Sequence, residues 1–368
     1  MMDSISQRIS HVDIDPAVRD ALPTTASTIH RLLGYRRHGY RYHEHHHLSL
    51  DCVVVDEASM IDLKLMHHLL AALPVRARLI LLGDRDQLAS VAAGNVLGDI
   101  TGHGTDLESA SAPPAASIAL LRTNYRFDHH SAIGEVAAHV NQGQSSAAIE
   151  LLRVGDRGLR WYAVDDDQIH ADALAWLYSA YAPVFDRNSP AEALEVYEKT
   201  RLLCATNRGP LGVKTLNLVI SQAMLARHNQ PESDLYAGLP ILIKRNHHEL
   251  GLFNGDTGIL WQYPTGLRAC FRDSSGGIRD LAVNRLPEFA PAWASTVHKS
   301  QGSEFDSVFL LLPSDPDSEA LSRELLYTAI TRARQQFILH APEDVLTRSI
   351  ESLTQRHTGL ARKLGWPC

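Results

Sequence analysis

The sequence predicts an α/β protein with parallel sheets and a small β-barrel inserted into its second half. Short apolar runs typical of buried strands, such as Leu50–Val55 and Ala77–Leu82, alternate with stretches of helical periodicity, such as residues 60–73. The sequence pattern changes at residues 239–289, where short strand-like segments are separated by turn residues.

A second α/β unit is expected around this insert. Its strands are predicted at Arg201–Ala205, Ser307–Leu312 and Phe337–Leu339, with a helix near residues 321–333. The strands of the insert are predicted at Ile241–Lys244, Gly258–Trp261 and Leu267–Phe271. Residues 129–200 show mostly helical patterns, with Gly143 as a stop signal.

Composition narrows the class of protein without assigning a function. The 368 residues are 45% hydrophobic and 21% charged, which is typical of a globular protein. No apolar run has membrane-spanning length and the first residues lack a signal-peptide core, so we expect a cytoplasmic location. The net charge of −7 argues against a DNA-binding protein whose whole surface is basic. It is compatible with DNA binding in a local basic groove.

The cysteines and the histidine cluster offer little evidence for a metal site. The four cysteines lie far apart and form no CxxC pair, which argues against a disulfide scaffold and a structural zinc site. A cluster of His43, His45, His46 and His47 precedes the first strand. Imidazoles could bind a metal there, but the favoured interpretation of the cluster is a solvated loop.

The strongest local signal is the pair Asp56 and Glu57 at the end of the apolar strand VVV. Ligands of open parallel sheets bind at the carboxyl ends of the strands. An aspartate there can hold Mg²⁺ and a glutamate can orient or deprotonate water. A carboxylate pair favoured by a helix N-terminus is the structural alternative.

Further polar groups follow other predicted strands. Gln87 lies in GDRDQL and could sense a γ-phosphate, although Gly-Asp also suits a turn. The segments LRTNYRF, TVHKSQGSEFD and LYTAITRAR follow downstream. Arginines can stabilise a transferring phosphoryl group, and a Thr/His/Lys/Ser cluster suits a phosphate backbone.

The order of these segments resembles motifs II to VI of superfamily 1 helicases. The segments TIHRLLG, TVHKSQGSEFD, LYTAITRAR and GLFNGDTG are similar in particular to the RecD branch, the alpha subunits of exonuclease V. The resemblance covers about residues 24–340. It implies two RecA-like P-loop NTPase helicase domains, the first incomplete, with an SH3-like β-barrel inserted in the second.

The resemblance implies roles for individual residues. Asp56 would hold Mg²⁺, Glu57 would be the catalytic carboxylate, and Gln87 would couple the γ-phosphate to DNA. Arg126 and Arg332 would be arginine fingers. The remaining implied nucleotide-binding residues are Gly302 and Glu304, and the implied DNA-binding residues are Thr28, His30, Thr296, His298 and Lys299. Tyr125 could equally be a core residue or a nucleotide or DNA contact.

The resemblance also implies a division of the chain. The expected parts are a partial first motor domain at 1–125, a mostly helical connection at 126–200, a second RecA-like domain at 201–238 and 290–346, the insert at 239–289 and a tail at 347–368.

The sequence departs from the family at the phosphate-binding loop. No G-x-x-x-x-G-K-[ST] segment precedes TIHRLLG, and Gly209–Thr215 is a decoy in which Val213 separates glycine from lysine. ATP hydrolysis by this chain alone is therefore not expected, and the strand ending at Asp56 should have a bare hydrophobic edge. A truncated sequence, a split gene and a decayed copy all remain open.

The resulting prediction is an ATP- and Mg²⁺-dependent 5′–3′ DNA helicase or translocase subunit acting in double-strand-break repair and recombination. Expected partners are single-stranded DNA, duplex DNA ends, RecB- and RecC-like subunits and a separate fragment carrying the phosphate-binding loop. A non-catalytic DNA-binding or scaffolding subunit of an exonuclease V-like complex is the alternative.

Overall fold

A computed structural model gives the fold of most of the chain. It describes residues 15, 26–37, 39–90, 92, 94–102, 115, 117–121, 131–228, 233–273, 276–354 and 358–366. These residues fall into two compact units. The first unit lies within Met1–Arg85, Ala89–Pro113 and Thr358–Cys368, and the second within Asp86–Leu88 and Pro114–His357.

The first unit is built around one pair of parallel strands. Its elements are α1 (Ile29–Leu32), β1 (Tyr35–Arg36), β2 (Gly39–Tyr40), β3 (Cys52–Val55), a 3-10 turn (Ala58–Met60), α2 (Leu63–Ala72), β4 (Arg78–Leu81), α3 (Val96–Thr101) and a short C-terminal helix, α11 (Leu360–Lys363). Strands β3 and β4 run parallel, with Val53 opposite Leu79. Helix α2 begins where the Asp62 carboxylate accepts the Leu65 N–H at 2.7 Å, which is an ordinary N-cap.

Among the residues that the structure describes, only one face of this strand pair is covered. Val53 and Val55 are buried in the core of the unit, whereas Val54 is 58% exposed. Ile80 and Leu82 are also exposed, at 39% and 46%. The apolar run therefore has the composition of a strand covered on both faces, but one of its faces is open.

The second unit contains a parallel sheet, an antiparallel sheet and the helices that pack on them. Its helices are α4 (Ala132–Asn141), α5 (Ser145–Val154), α6 (Ala171–Tyr181), α7 (Pro190–Lys199), α8 (Val213–Arg227), α9 (Arg323–Ile330) and α10 (Glu343–Glu351). Its strands are β5 (Leu159–Ala163), β6 (Thr200–Cys204), β7 (Pro240–Ile243), β8 (Thr257–Tyr263), β9 (Gly266–Arg272), β10 (Ile278–Ala282), β11 (Phe289–Pro291), β12 (Ala294–Thr296), β13 (Phe305–Leu311) and β14 (Ala333–Ala341). Its 3-10 turns are Ala182–Val184, His248–Leu250, Val283–Arg285 and Val297–Ser300.

The parallel sheet has the strand order β12-β6-β13-β14-β5, and each neighbouring pair is parallel. Every residue of β6 is buried, and its side chains alternate between two apolar cores. Leu202 lies in the core that includes α6, α7 and α8, whereas Leu203 lies in the core that includes α4, α9 and α10. The expected α/β architecture with parallel strands is thus confirmed.

The antiparallel sheet interrupts this α/β unit between α8 and β12. Its order is β10-β9-β8-β7-β11, and it continues the core formed by β6 and its helices through Ile241 and Ile259. At Gly258 a β-carbon would lie 2.6 Å from the Cys270 carbonyl oxygen, so β8 and β9 approach too closely for any other residue.

The observed units differ from the sequence expectation in two places. Residues 131–200 do not form a separate connection, because β5 completes the edge of the parallel sheet and α4 and α5 pack on it. Residues 358–366 belong to the first unit, where Trp366 donates its indole N–H to the Ile100 carbonyl at 3.1 Å. Helix α4 ends at Asn141, and Gly143 follows with φ 71°, as its role as a stop signal requires.

None of the described helices combines the length and apolar character needed to cross a lipid bilayer.

Candidate functional site

Asp56 and Glu57 leave the carboxyl end of β3 in a tight turn. The Asp56 carboxylate accepts the Glu57 N–H at 2.9 Å, and Asp56 itself is exposed. Glu57 adopts φ 53° and ψ 42°, a left-handed conformation that costs a non-glycine residue about 1–2 kcal/mol. Strain of this kind tends to be retained where a side chain must point in a functional direction.

The end of β4 supports this turn from the neighbouring strand. The Ala58 N–H donates to the Leu82 carbonyl at 2.8 Å, and the Leu82 N–H donates to the Val55 carbonyl at 2.8 Å. A β-carbon at Gly83 would lie 3.0 Å from the Ala58 nitrogen and 3.2 Å from that of Ser59. A side chain at position 83 would therefore crowd the carboxylate-bearing turn beside β4.

Gln87 and its neighbours are held within the second unit. Gln87 is 7% exposed. The Leu88 N–H donates to Thr328 Oγ1 at 2.8 Å, and the Leu88 carbonyl accepts from Gln301 Nε2 at 2.6 Å. Asn141 Nδ2 donates to the Asp86 carboxylate at 2.9 Å. Three side chains of this unit thus hydrogen-bond to residues on either side of Gln87.

Thr296, His298 and Lys299 form a capped turn after β12. The buried Thr296 hydroxyl accepts the Lys299 N–H at 3.4 Å and caps the turn Val297–Ser300. Lys299 reaches the surface. Partial desolvation of its ammonium, and then the nearby charge of Lys244, lower the pKa of this lysine. An ammonium held beside another cation is well suited to an anionic ligand.

Arg332 lies inside the second unit. It is 2% exposed, its Nε donates to the Thr328 carbonyl at 3.3 Å, and its Nη1 donates to the Ser303 carbonyl at 3.1 Å. Gly302 adopts φ 76° one residue before Ser303. The Glu304 carboxylate accepts from Arg334 Nε at 3.0 Å.

Thr28 and His30 lie at α1 in the first unit. The Thr28 hydroxyl accepts the Arg31 N–H at 3.3 Å and caps α1. The exposed His30 ring stands edge-on to Tyr35, with ring centroids 5.9 Å apart. Both side chains are accessible to a ligand.

The sequence-predicted residues are divided between the two units. The first unit holds Thr28, His30, Asp56 and Glu57, and the second holds Gln87, Thr296, His298, Lys299, Gly302, Glu304 and Arg332. Arg126 and Tyr125 lie outside the described residues. Sequence reasoning gave no role to Thr328, which lies in the motif LYTAITRAR, because its hydrogen bond to Leu88 spans 240 residues.

The histidine cluster makes hydrogen bonds within its own loop. In the parts of the chain that the structure describes, no three His, Cys, Asp or Glu side chains converge as a metal site. Instead, His43 Nδ1 accepts the His45 N–H at 3.2 Å, and His46 Nδ1 lies 3.1 Å from the Arg41 carbonyl. These rings are used within their own loop.

The glycine-containing segment Gly209–Thr215 follows a strand and opens α8, as a phosphate-binding loop would. Its amides, however, donate to its own loop: Gly212 N–H to Gly209, Val213 N–H to Thr206 and Lys214 N–H to Asn207, at 3.1–3.2 Å. The interpretation of this segment as a decoy fits these contacts, because a phosphate cradle needs amides that point at the ligand.

Comparison with known proteins identifies the family. The family model described as an AAA domain matches residues 16–158, and that of the UvrD-like helicase C-terminal domain matches residues 291–340. The RecBCD enzyme subunit RecD of Mycolicibacterium smegmatis is 37% identical over 351 residues, covering 92% of this chain and 59% of the relative. The same subunit of Mycobacterium tuberculosis is 39% identical over 349 residues, covering 92% and 58%. The chain belongs to the RecD family.

Further relatives extend this family. The ATP-dependent RecD2 DNA helicase of Deinococcus radiodurans is 31% identical over 316 residues, covering 85% of this chain and 39% of the relative. Among solved structures, a Bacteroides Pif1 helicase in complex with ADP-AlF3 and ssDNA covers 90% of this chain and 82% of its own, with 15% identity and a TM-score of 0.48. The chain spans about six tenths of the length of the RecD relatives it matches.

Proposed function

We propose that this RecD-family chain is part of an ATP-dependent 5′–3′ DNA helicase or translocase that acts on broken DNA ends in repair and recombination. The observation that carries the proposal is the strained turn Asp56–Glu57 at the end of a parallel strand, in a chain 37% identical to a RecD subunit over 351 residues. The relatives named RecD and ATP-dependent RecD2 DNA helicase support the same activity.

The two units would be RecA-like motor domains, with the antiparallel sheet as an SH3-like insert. The order of the parallel sheet and the position of the insert between α8 and β12 support this assignment. RecB- and RecC-like subunits are the proposed partners, by analogy with the complex named for the relatives.

The chemistry assigned to the first unit is phosphoryl transfer to water. The exposed Asp56 carboxylate fits Mg²⁺, which takes one or two carboxylates and keeps several waters. Bound Mg²⁺ would neutralise charge on the nucleotide phosphates. Glu57, projecting from its left-handed turn, would orient the attacking water and accept its proton.

Nucleotide-dependent roles are also proposed for residues of the second unit. Gln87 would follow the presence of the γ-phosphate, and Arg332, with Arg126, would stabilise developing charge. In the structure at least three of the five N–H groups of the Arg332 guanidinium donate to the Thr328 and Ser303 carbonyls and to Thr331 Oγ1. Gly302 and Glu304 flank Ser303, whose carbonyl is one of those acceptors.

DNA contact is assigned to Thr28 and His30 in the first unit and to Thr296, His298 and Lys299 in the second. The lowered pKa of Lys299 reflects an ammonium that a phosphate would stabilise. Hydroxyl, imidazole and ammonium donors of this kind bind the backbone and carry no sequence information. Binding is therefore expected to weaken with salt and to tolerate many sequences.

A phosphate-binding loop supplied by a separate fragment is part of the proposal. The open face of β3 and β4, formed by Val54, Ile80 and Leu82, is apolar surface that additional polypeptide would cover. That these 368 residues alone do not hydrolyse ATP stays a prediction.

The decisive experiment is single-stranded-DNA-stimulated ATP hydrolysis, measured on the chain alone and after addition of a fragment carrying the loop. Activity that appears only with the fragment, and that Glu57→Gln abolishes, is the expected result. ATP hydrolysis by the chain alone would show that its own residues bind the phosphates of ATP. A complete motor that binds DNA but never hydrolyses ATP would contradict the proposal.

One observation favours a second candidate, a non-catalytic DNA-binding or scaffolding subunit. The segment Gly209–Thr215 opens α8 as a phosphate-binding loop would, but its amides donate within their own loop. This candidate predicts DNA binding unaffected by ATP and by Glu57→Gln, with no hydrolysis in any assembly. Retention of Glu57 in a strained conformation favours the motor, because a scaffold gains nothing from that strain.

A further inference from the structure

The Leu88 backbone is held at both of its polar atoms by side chains. Its N–H donates to Thr328 Oγ1 at 2.8 Å and its carbonyl accepts from Gln301 Nε2 at 2.6 Å. All three residues belong to the second unit. Thr328 is fully buried and Leu88 is 6% exposed, so water does not compete readily for these hydrogen bonds.

These contacts replace those that secondary structure normally provides. Residues 86–90 lie outside every helix and strand, so Leu88 has no ladder partner. Buried backbone groups must nevertheless be satisfied. Here they are satisfied by side chains 240 and 213 residues away in sequence. The conformation of the residue after Gln87 is therefore set by two distant motifs.

The same two side chains belong to segments that carry other proposed site residues. The Thr328 carbonyl accepts from Arg332 Nε at 3.3 Å and from Thr331 Oγ1 at 3.0 Å. Gln301 follows the turn Val297–Ser300, and its N–H donates to the His298 carbonyl at 3.4 Å. Thr328 thus contacts Leu88 with its hydroxyl and Arg332 with its carbonyl. Gln301 joins Leu88 to the proposed DNA-contacting turn.

We propose that Thr328 and Gln301 are positioning residues, which we call the Leu88 clamp, that couple Gln87 to Arg332 and to the turn containing His298 and Lys299. The inference rests on the proposed motor function. Movement of Gln87 with the γ-phosphate would shift Leu88, and the clamp would pass that shift to the DNA-contacting turn. The role assigned to both clamp residues is to hold Leu88, and no nucleotide or DNA contact is assigned to either.

If the Leu88 clamp only stabilised the fold, its variants would behave differently from variants of a clamp that couples the sites. If the clamp only stabilises the fold, Thr328→Val lowers the melting temperature and reduces every activity to the same extent. If it couples the sites, the ratio of DNA-stimulated to DNA-independent ATP hydrolysis falls, because the DNA signal no longer reaches Gln87. The ratio is insensitive to the fraction of folded protein, so it separates the two roles.

The test is made on the complete motor, with the phosphate-binding loop present and oligothymidine as the DNA. Thr328→Val and Gln301→Leu are each expected to lower the ratio about tenfold, the effect of one lost buried hydrogen bond. Thr328→Ser keeps the hydroxyl and should leave the ratio at its wild-type value. Ser349→Ala is the matched control, because it removes a buried hydroxyl that donates only to the Val345 carbonyl in α10.

Hydrogen exchange tests the clamp itself without ATP or DNA. Thr328→Val should speed exchange of the Leu88 amide about tenfold relative to Thr328→Ser. An unchanged exchange rate, or an unchanged ratio in an active motor, overturns the inference alone. A complete wild-type motor without ATP hydrolysis overturns the proposed function, and the coupling role with it.

Discussion

At the residue scale, Glu57 combines a proposed chemical role with a local energetic cost. Its left-handed backbone, with φ 53°, costs a non-glycine residue about 1–2 kcal/mol. Glycine does not have this cost, but it loses more backbone conformational entropy on folding than alanine does, which costs about 0.5–1 kcal/mol. The balance favours glycine for stability, whereas the proposed chemistry requires a carboxylate.

We therefore predict that Glu57→Gly raises the free energy of unfolding by up to about 1 kcal/mol while abolishing ATP hydrolysis in the complete motor. Glu150→Gly is the matched control, because Glu150 lies exposed within α5, where glycine should lower stability by about 1 kcal/mol. Urea unfolding of both variants checks the prediction. A loss of stability for Glu57→Gly similar to that of the control would contradict it.

His340 gives the second unit a pH-dependent stability. It is fully buried in β14, and its Nε2 accepts the His170 N–H at 3.2 Å. Burial lowers the pKa of His340 below 6.5, and the backbone carbonyls nearby and Asp166 do not offset the effect. Below pH 6.5 the unfolded chain binds more protons at this residue than the folded chain.

The sign follows from this proton difference: the contribution of His340 is fully present above pH 6.5 and is lost as pH falls toward the lowered pKa. We predict that the urea midpoint of the wild type drops between about pH 7.5 and 5.5 more than that of His340→Gln, which can still accept from His170 but does not titrate. Equal drops in the two proteins would show that His340 is not responsible.

At the element scale, Gly83 determines how closely β4 passes the turn that carries Glu57. A β-carbon there would meet the backbone nitrogens of Ala58 and Ser59 at 3.0 and 3.2 Å and Leu97 Cδ2 at 2.9 Å. The leucine can rotate away, but the backbone cannot. Gly83→Ala should therefore destabilise the first unit by about 1–3 kcal/mol and weaken catalysis through Glu57. Unchanged thermal unfolding and unchanged activity would contradict this.

The elements show how far sequence patterns suffice. The apolar run Arg201–Ala205 predicts a buried strand, and β6 is buried at every position because helices cover both sheet faces. The insert strands predicted at Ile241–Lys244 and Leu267–Phe271 correspond to β7 and β9 within two residues. These elements are predictable because local apolar spacing reflects the core they enter.

Other elements could not be predicted because their environment is not local. Strand β5, Leu159–Ala163, lies in a stretch of helical patterns, and only its pairing with β14 at the sheet edge makes it a strand. In the candidate site, the pair Asp56–Glu57 follows from its strand, whereas the contact of Leu88 with Thr328 spans 240 residues and has no spacing rule.

At the scale of the whole molecule, the two units differ in how completely their sheets are covered. The parallel sheet of the second unit has a separate apolar core on each face. The strand pair of the first unit has one such core and an open face that includes Val54 and Ile80. The formal net charge of −7 opposes association, whereas an exposed apolar face favours it.

The open face predicts self-association of the chain when it is alone. Val54→Lys and Ile80→Lys should each reduce it, because a charge on this face must be desolvated before two chains associate through it. Leu218→Lys is the matched control: Leu218 is 59% exposed on α8, close to the 58% of Val54, but lies in the second unit, outside this face. Sedimentation velocity over a range of protein concentrations measures the effect.

If a fragment carrying the phosphate-binding loop covers this face, the same lysines should weaken its binding at least tenfold, equivalent to about 1.4 kcal/mol. Binding of the fragment unaffected by either lysine would place its contact surface elsewhere on the chain.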